Sequence, residues 1–306
     1  MARDVYAAQV ALLVRLLPFI AQEEVFALKG GTAINLFYRD MPRLSVDIDL
    51  TYLPVRERAE SLADIDETLN RIVAAARRGI PKLDARRIEG GGGGATRIRA
   101  RLEGAEVKIE TSPVTRGVVH DPEKRTVSPT VEDEFGFASI QVVSFEDLFS
   151  GKLHAAVDRQ HPRDLFDVKL LYENEGFTDA LFRTFLVYVA SSPRPVQELI
   201  KPNLSPLDEP FVQEFAGMTT IPVTVEDLAA ARDRLLADID SRMDDTAREF
   251  LIGLHDGEPD FEAIGLPQAA NLPAIRWKLL NLKKLIAENP DKHAEQKAEL
   301  LEKLSR

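Results

Sequence analysis

Asp47 and Asp49 stand two residues apart in a β-like segment, residues 46–53. On a strand, residues i and i+2 point to the same face. Two carboxylates side by side repel each other unless a cation lies between them. Magnesium suits such a place, because it takes one or two carboxylates together with substrate phosphates. Upstream, Gly30, Gly31 and Thr32 follow the apolar run Val25, Phe26, Ala27, Leu28 and open a helix-like run that reaches Tyr38. Glycine lets the backbone approach a ligand closely, and the free N–H groups of a helix start favour phosphate. A glycine pair is weak evidence alone, and so is Asp-x-Asp. The order strand, Gly-Gly, helix, strand with Asp-x-Asp is far more specific, since it sets a phosphate cradle beside two metal-binding acids.

A third carboxylate on a neighbouring strand would complete a two-metal site, in which metals about 4 Å apart hold the attacking and leaving oxygens. Glu110 is the candidate, in a stretch where Glu106, Lys108 and Glu110 share one face and Val107 and Ile109 the other. A second group comprises Lys152, Arg159, Arg163, Asp164 and Asp167. Phosphoryl transfer asks mainly for charge neutralisation and positioning. Lys152, flanked by Gly151, Leu153, Ala155 and Ala156, needs a partner and suits a triphosphate. Asp164 would orient that lysine, or reach a metal or a ribose hydroxyl. The bland alternative is a surface helix with exposed ion pairs worth less than about 1 kcal/mol each.

Helical spacing over residues 4–20 and 56–78 predicts two amphipathic helices. Residues 82–88, 96–102 and 105–111 read as strands, the last two joined at Glu103-Gly104. Five glycines at 90–94 read as a loop, with no lysine or serine at P-loop spacing. Residues 114–135 look like a long connection, and 137–143 like another apolar strand. Ser144 is a predicted N-cap, and Pro162 starts the next helix. From residue 178 onward everything reads as helix. The expected organisation is α+β: a mixed-sheet domain over 1–176 and an all-α domain over 177–306.

The 306-residue chain is 44% hydrophobic and 29% charged, ordinary for a globular protein. It has no cysteine, which removes disulfides, thiolate metal sites and a cysteine nucleophile. No apolar run approaches the roughly 20 residues that span a bilayer. The start lacks a signal-peptide pattern, so the expected address is the cytoplasm, with no membrane partner. The formal net charge is −11. Residues 203–265 hold 15 acidic and 4 basic residues, so the remainder is neutral overall. Residues 71–101 hold 9 basic and 2 acidic residues, the natural place for nucleic-acid contact.

Four stretches, in order, resemble the AbiEii/MenT family of nucleotidyltransferase-like toxins from type IV abortive-infection toxin–antitoxin systems. They are Leu28-Lys29-Gly30-Gly31-Thr32-Ala33-Ile34-Asn35, Ser45-Val46-Asp47-Ile48-Asp49-Leu50, Lys152 through Arg159, and Pro162-Arg163-Asp164-Leu165-Phe166-Asp167. The resemblance implies a DNA-polymerase-β-like nucleotidyltransferase fold, a nucleoside triphosphate substrate and Mg²⁺. It implies a cognate antitoxin and, as in some members, addition of nucleotides to the 3′ acceptor end of tRNA. Carried over by motif, Lys29, Gly30, Gly31, Thr32, Ser45 and Arg163 would hold the nucleotide. Asp47 and Asp49 would bind metal with Glu110, Lys152 would contact the triphosphate, and Asp164 would be the fourth-motif carboxylate. Two departures are visible: Ile34 stands where the family often has Leu, and Glu110 where polymerase-like enzymes commonly have Asp. The rival readings are transfer to a protein or small molecule, and a non-catalytic relative that only engages an antitoxin.

Ser45, two residues before Asp47, should share its face. A phosphate there would add about two negative charges beside the metal site. Trp277 could stack on a base with Arg276, Lys278, Lys283 and Lys284 nearby, but a single Trp on an amphipathic helix is more often core, which is the reading taken. His154 reads as a helix-face residue, since no second histidine has metal spacing.

Overall fold

The first helix, α1 (Ala2–Ile20), forms as its periodicity requires. Val10, Leu13 and Leu17 are fully buried on one face. The computed structural model describes residues 2–90 and 94–305. In the first part of the chain β1 (Phe26–Lys29) runs into α2 (Gly30–Ala33), which continues as a π-helical turn, Ile34–Tyr38. Then come β2 (Ile48–Tyr52), α3 (Arg58–Gly79), β3 (Asp84–Gly90), β4 (Gly94–Leu102), β5 (Ala105–Thr111), β6 (Glu123–Thr126), α4 (Pro129–Phe135) and β7 (Ser139–Val142).

The seven strands make one sheet in the order β3-β4-β5-β2-β1-β7-β6. β1 with β7 and β2 with β5 are parallel, and the other pairs are antiparallel, so the sheet is mixed as expected. Alternation sorts the side chains. Ile48, Leu50, Ile98, Ala100, Val107 and Ile109 lie on one face, each at most 1% exposed. Asp49, Arg97, Arg99, Arg101, Glu106, Lys108 and Glu110 take the alternate positions, on the other face. Arg87, which is paired with Ile98, reaches Asp66 and Asn70 of α3 and so marks the helix-covered face.

The expected connection at 114–135 contains β6 and α4. β6 reads Glu-Lys-Arg-Thr and forms an edge strand with little burial, so it carries no alternating apolar signal. The glycine run is bounded by the Gly90–Gly94 pair, while residues 91–93, on which the loop reading falls, lie outside the described residues.

The remaining helices are α5 (Phe145–Arg159), α6 (Pro162–Asn174), α7 (Asp179–Ser191), α8 (Val196–Ile200), α9 (Asp208–Glu214), α10 (Val225–Ser241), α11 (Asp245–His255), α12 (Pro273–Glu288) and α13 (Pro290–Ser305). The chain forms two compact units: Met1–Ser144 with Met218–Ile221, and Phe145–Gly217 with Pro222–Arg306. Composition suggested a change at 176, but packing changes at 144, because α5 and α6 belong with the later helices. Residues 218–221 return to the first unit, where Leu44 N–H donates to Met218 O at 2.8 Å and Thr220 N–H to Pro42 O at 2.9 Å.

Trp277 corrects the core reading, being 57% exposed, with Leu280 60% exposed. α12 instead turns Ala274, Ile275 and Leu282 inward. Lys278 sits with them, its Nζ donating to the carbonyls of Ser192 (2.9 Å) and Arg194 (2.7 Å), and burial lowers its pKa to about 8.

His255 and His293 stack at 4.4 Å between ring centroids. Each Nε2 faces the other residue's carbonyl, at 3.1 and 3.0 Å, so each donates there. Burial lowers the His255 pKa; His293 and Lys297 add to this, while the carbonyl bond and Asp256 oppose it. The unfolded state therefore binds the proton more readily, so stability is lost as pH falls from the unfolded value near 6.5 towards the lower folded one. Thermal melts should give a lower Tm at pH 5.5 than at pH 7.5, and His255→Gln should flatten that difference.

Candidate active site

The first unit assembles Lys29, Gly30, Gly31, Thr32, Ser45, Asp47, Asp49 and Glu110. Antiparallel pairing sets Lys29 opposite Asp49, and parallel pairing of β2 with β5 sets Asp49 opposite Glu110. Lys29 is half-buried; loss of hydration pushes its ammonium pKa down, and Asp49 pulls it back up. Asp47 precedes β2 and is exposed, whereas Asp49 is half-buried.

The glycines are required by close approach. Gly30 has φ +77°, and a Cβ there would lie 2.6 Å from Asp49 Oδ2. A Cβ on Gly31 would lie 2.6 Å from Arg43 Nη2 and 2.9 Å from Ser45 Oγ. The turn is thus moulded against the strand that bears the acids. Thr32, fully buried, donates its hydroxyl to Asp47 O and lies 3.1 Å from Ser45 Oγ. Asn35, also fully buried, donates to Gly31 O at 2.8 Å, and its Oδ1 accepts from Arg43 N–H at 3.3 Å. Ser45 N–H donates to Tyr6 OH at 3.2 Å. Sequence reading missed Arg43 and gave Asn35, quoted in the first motif, no role of its own; both make their contacts across a turn, and Arg43 is only 4% exposed.

Glu110 is brought beside Asp49 by register but also meets Arg97, Nε to Oε1 at 3.2 Å. Among the described residues no three His, Asp or Glu side chains converge as a metal cage. The residues present fit a magnesium ion held by two carboxylates and substrate phosphates, the usual mode for that ion. Gly30, lacking a Cβ, lets the turn's backbone lie close to Asp49 Oδ2.

Gly30→Ala is expected to reduce transfer by roughly 100-fold, because the methyl group displaces Asp49. The positive φ adds a stability cost of about 1–2 kcal/mol. Transfer rate and Tm measured on the same preparation separate the two effects; unchanged transfer would remove Gly30 from the site.

The second unit assembles Lys152, Arg159, Asp164 and Asp167. Lys152 on α5 is 7% exposed, its Nζ 2.7 Å from Asp164 Oδ1 and 3.0 Å from Asp167 Oδ2 on α6. Arg159 Nη2 donates to Asp164 Oδ1 at 3.0 Å and its Nε to Oδ2 at 2.5 Å. Burial alone would raise the Asp164 carboxyl, but Lys152 and Arg159 outweigh it and hold it well below the usual carboxylate range. The lysine expected on a triphosphate therefore rests between two buried aspartates, while the Arg159 side chain remains 63% exposed. Arg163 is more open, with Nη2 3.9 Å from Glu214 Oε2. His161 caps α6 by accepting from Arg163 N–H at 3.1 Å.

A family model described as nucleotidyl transferase AbiEii toxin, type IV TA system, matches residues 11–279. Among solved structures the chain is similar to MenT4, a nucleotidyltransferase toxin from Mycobacterium tuberculosis H37Rv. That match has 17% identity and a TM-score of 0.58, covering 90% of this chain and 93% of that one, a likeness of fold. No curated protein matches the sequence.

Proposed function

The chain belongs to the AbiEii family of nucleotidyl transferase toxins of type IV toxin–antitoxin systems, and from that premise we propose that it transfers a nucleoside monophosphate from an NTP to the 3′ end of an RNA, a tRNA acceptor stem being the preferred substrate. Transfer would stop translation and growth, and a cognate antitoxin would restrain it. The supporting observation is the contact of the glycine turn with the acid strand, where a Cβ on Gly30 would meet Asp49 Oδ2 at 2.6 Å. A group held by that turn is necessarily beside the carboxylates.

In this reading Gly30 and Gly31 offer backbone N–H groups to the triphosphate. Thr32 ties the turn to the Asp47 backbone and so fixes the spacing between phosphate and acids. Asp47 and Asp49 would hold Mg²⁺, with Glu110, which meets Arg97, as the third carboxylate beside them. The bound ion would polarise the α-phosphate, lower the pKa of the acceptor hydroxyl and neutralise departing pyrophosphate. Lys29 lies opposite Asp49 across the β1–β2 pair. Asp164 positions Arg159 and Lys152, which hold positive charge on the α5–α6 pair.

Purified protein incubated with each labelled NTP, with and without Mg²⁺, should label tRNA within total RNA and leave total protein unlabelled. Labelling confined to protein would refute the RNA assignment, and metal-independent labelling would refute the role of Mg²⁺.

A further inference from the structure

Strand register arranges the polar face of the sheet into rows. One row runs Ile88, Arg97, Glu110, Asp49, Lys29 across five strands. The next row, two residues along β3, β4 and β5, is Arg86, Arg99, Lys108. Three cations thus stand side by side on adjacent strands, about 4.8 Å apart, and about 7 Å from the row that carries Glu110 and Asp49.

Like charges directly opposite each other destabilise a sheet. The neighbouring rows relieve theirs: Arg97 meets Glu110, and Arg101 meets Glu106. Arg86 has Asp84 at 2.6 Å. Among the described residues neither Arg99 nor Lys108 forms a salt bridge. Arg86 does most to hold the Asp84 carboxyl below its ordinary range, and Arg99 contributes least. Lys108 is exposed and Arg99 half-exposed. An arrangement that keeps two facing cations without a salt bridge among the described residues, beside acids that would repel an anion on their own, is suited to an extended polyanion.

We propose that the Arg86–Arg99–Lys108 row is a phosphate platform that holds the RNA acceptor strand and delivers its 3′ end to Asp47 and Asp49. The proposal rests on the RNA-transferase reading and adds where the acceptor backbone lies. Its partner is a nucleic-acid strand and not an acidic polypeptide, because cations spaced regularly across strands match a regularly charged backbone. The contacts are electrostatic and sequence-independent, so they set affinity and register while leaving base choice to other groups.

The test uses the full chain and fluorescently labelled unfractionated tRNA, read by anisotropy without NTP between 50 and 200 mM salt. Arg99→Gln with Lys108→Gln should weaken binding roughly tenfold at 0.1 M salt and lower the salt slope by about 1.4, two single-strand phosphate contacts. Mg²⁺-dependent NTP binding should be unchanged, and Tm unchanged or higher, since a like-charge contact is removed. Unchanged tRNA affinity and slope in the variant would overturn the platform. So would unchanged tRNA binding combined with lost binding of an acidic peptide, the signature of an antitoxin surface. If wild-type protein binds tRNA through these residues yet labels no RNA, the platform is supported and the transferase reading fails; RNA labelling with unchanged variant binding gives the reverse.

Discussion

Asp49→Asn is expected to lower nucleotide transfer by at least about 10³-fold, close to 4 kcal/mol of lost transition-state stabilisation, with Tm nearly unchanged. Asn keeps the shape and removes the charge. Asp49 is held by three constraints at once: Lys29 across one strand pair, Glu110 across the other, and the bare backbone of Gly30 against its Oδ2. Those constraints persist in the variant, so the loss falls on charge alone. Single-turnover incorporation at saturating Mg²⁺, beside a melt of the same sample, makes the comparison. Wild-type rates in Asp49→Asn would sink the metal role, and Glu103→Gln in the exposed β4–β5 turn is the neutral control.

Lys152→Ala should act first on the fold. Its ammonium is the cation between Asp164 and Asp167, both essentially without solvent contact. Removing one partner of a buried ion pair leaves charge uncompensated and costs about 3–5 kcal/mol. A fall in Tm of roughly 10 °C follows for a chain of this size. Adding Asp164→Asn should recover part of that loss, which a purely catalytic lysine would not show. The pH dependence carries a definite sign. The folded Asp164 carboxyl titrates below its unfolded value, near 3.9, so its contribution is present above that value and lost as pH falls towards the folded one. Wild-type stability should drop across that acid window, and Lys152→Ala should drop less. If Lys152→Ala melts like wild type and only transfer is lost, the lysine is catalytic and not structural.

The local part of the candidate site could be read along the chain. The glycine pair and Asp49 follow from local geometry, since strand alternation and glycine's freedom are properties of a few consecutive residues, while β2 begins only after Asp47. Helix α6 was legible for the same reason, its start marked by Pro162. β6 was not legible, because an edge strand with little burial needs no apolar alternation. Trp277 misled because one helix can bury Ile275 and Leu282 together with a lysine whose ammonium is spent on carbonyls, leaving the aromatic outside.

By itself the sequence determined the mixed α/β beginning, the helical remainder, the order of the glycine turn and the Asp-x-Asp strand, and the family. Tertiary structure alone decided that the division falls at Ser144, that Lys152 lies between two aspartates, that Glu110 has Arg97 as well as Asp49 beside it, and that three cations line up next to them. The physical reason is range. Backbone periodicity is fixed by neighbours in sequence, whereas ion partners and cross-strand rows are fixed by register between strands that meet only when the sheet closes.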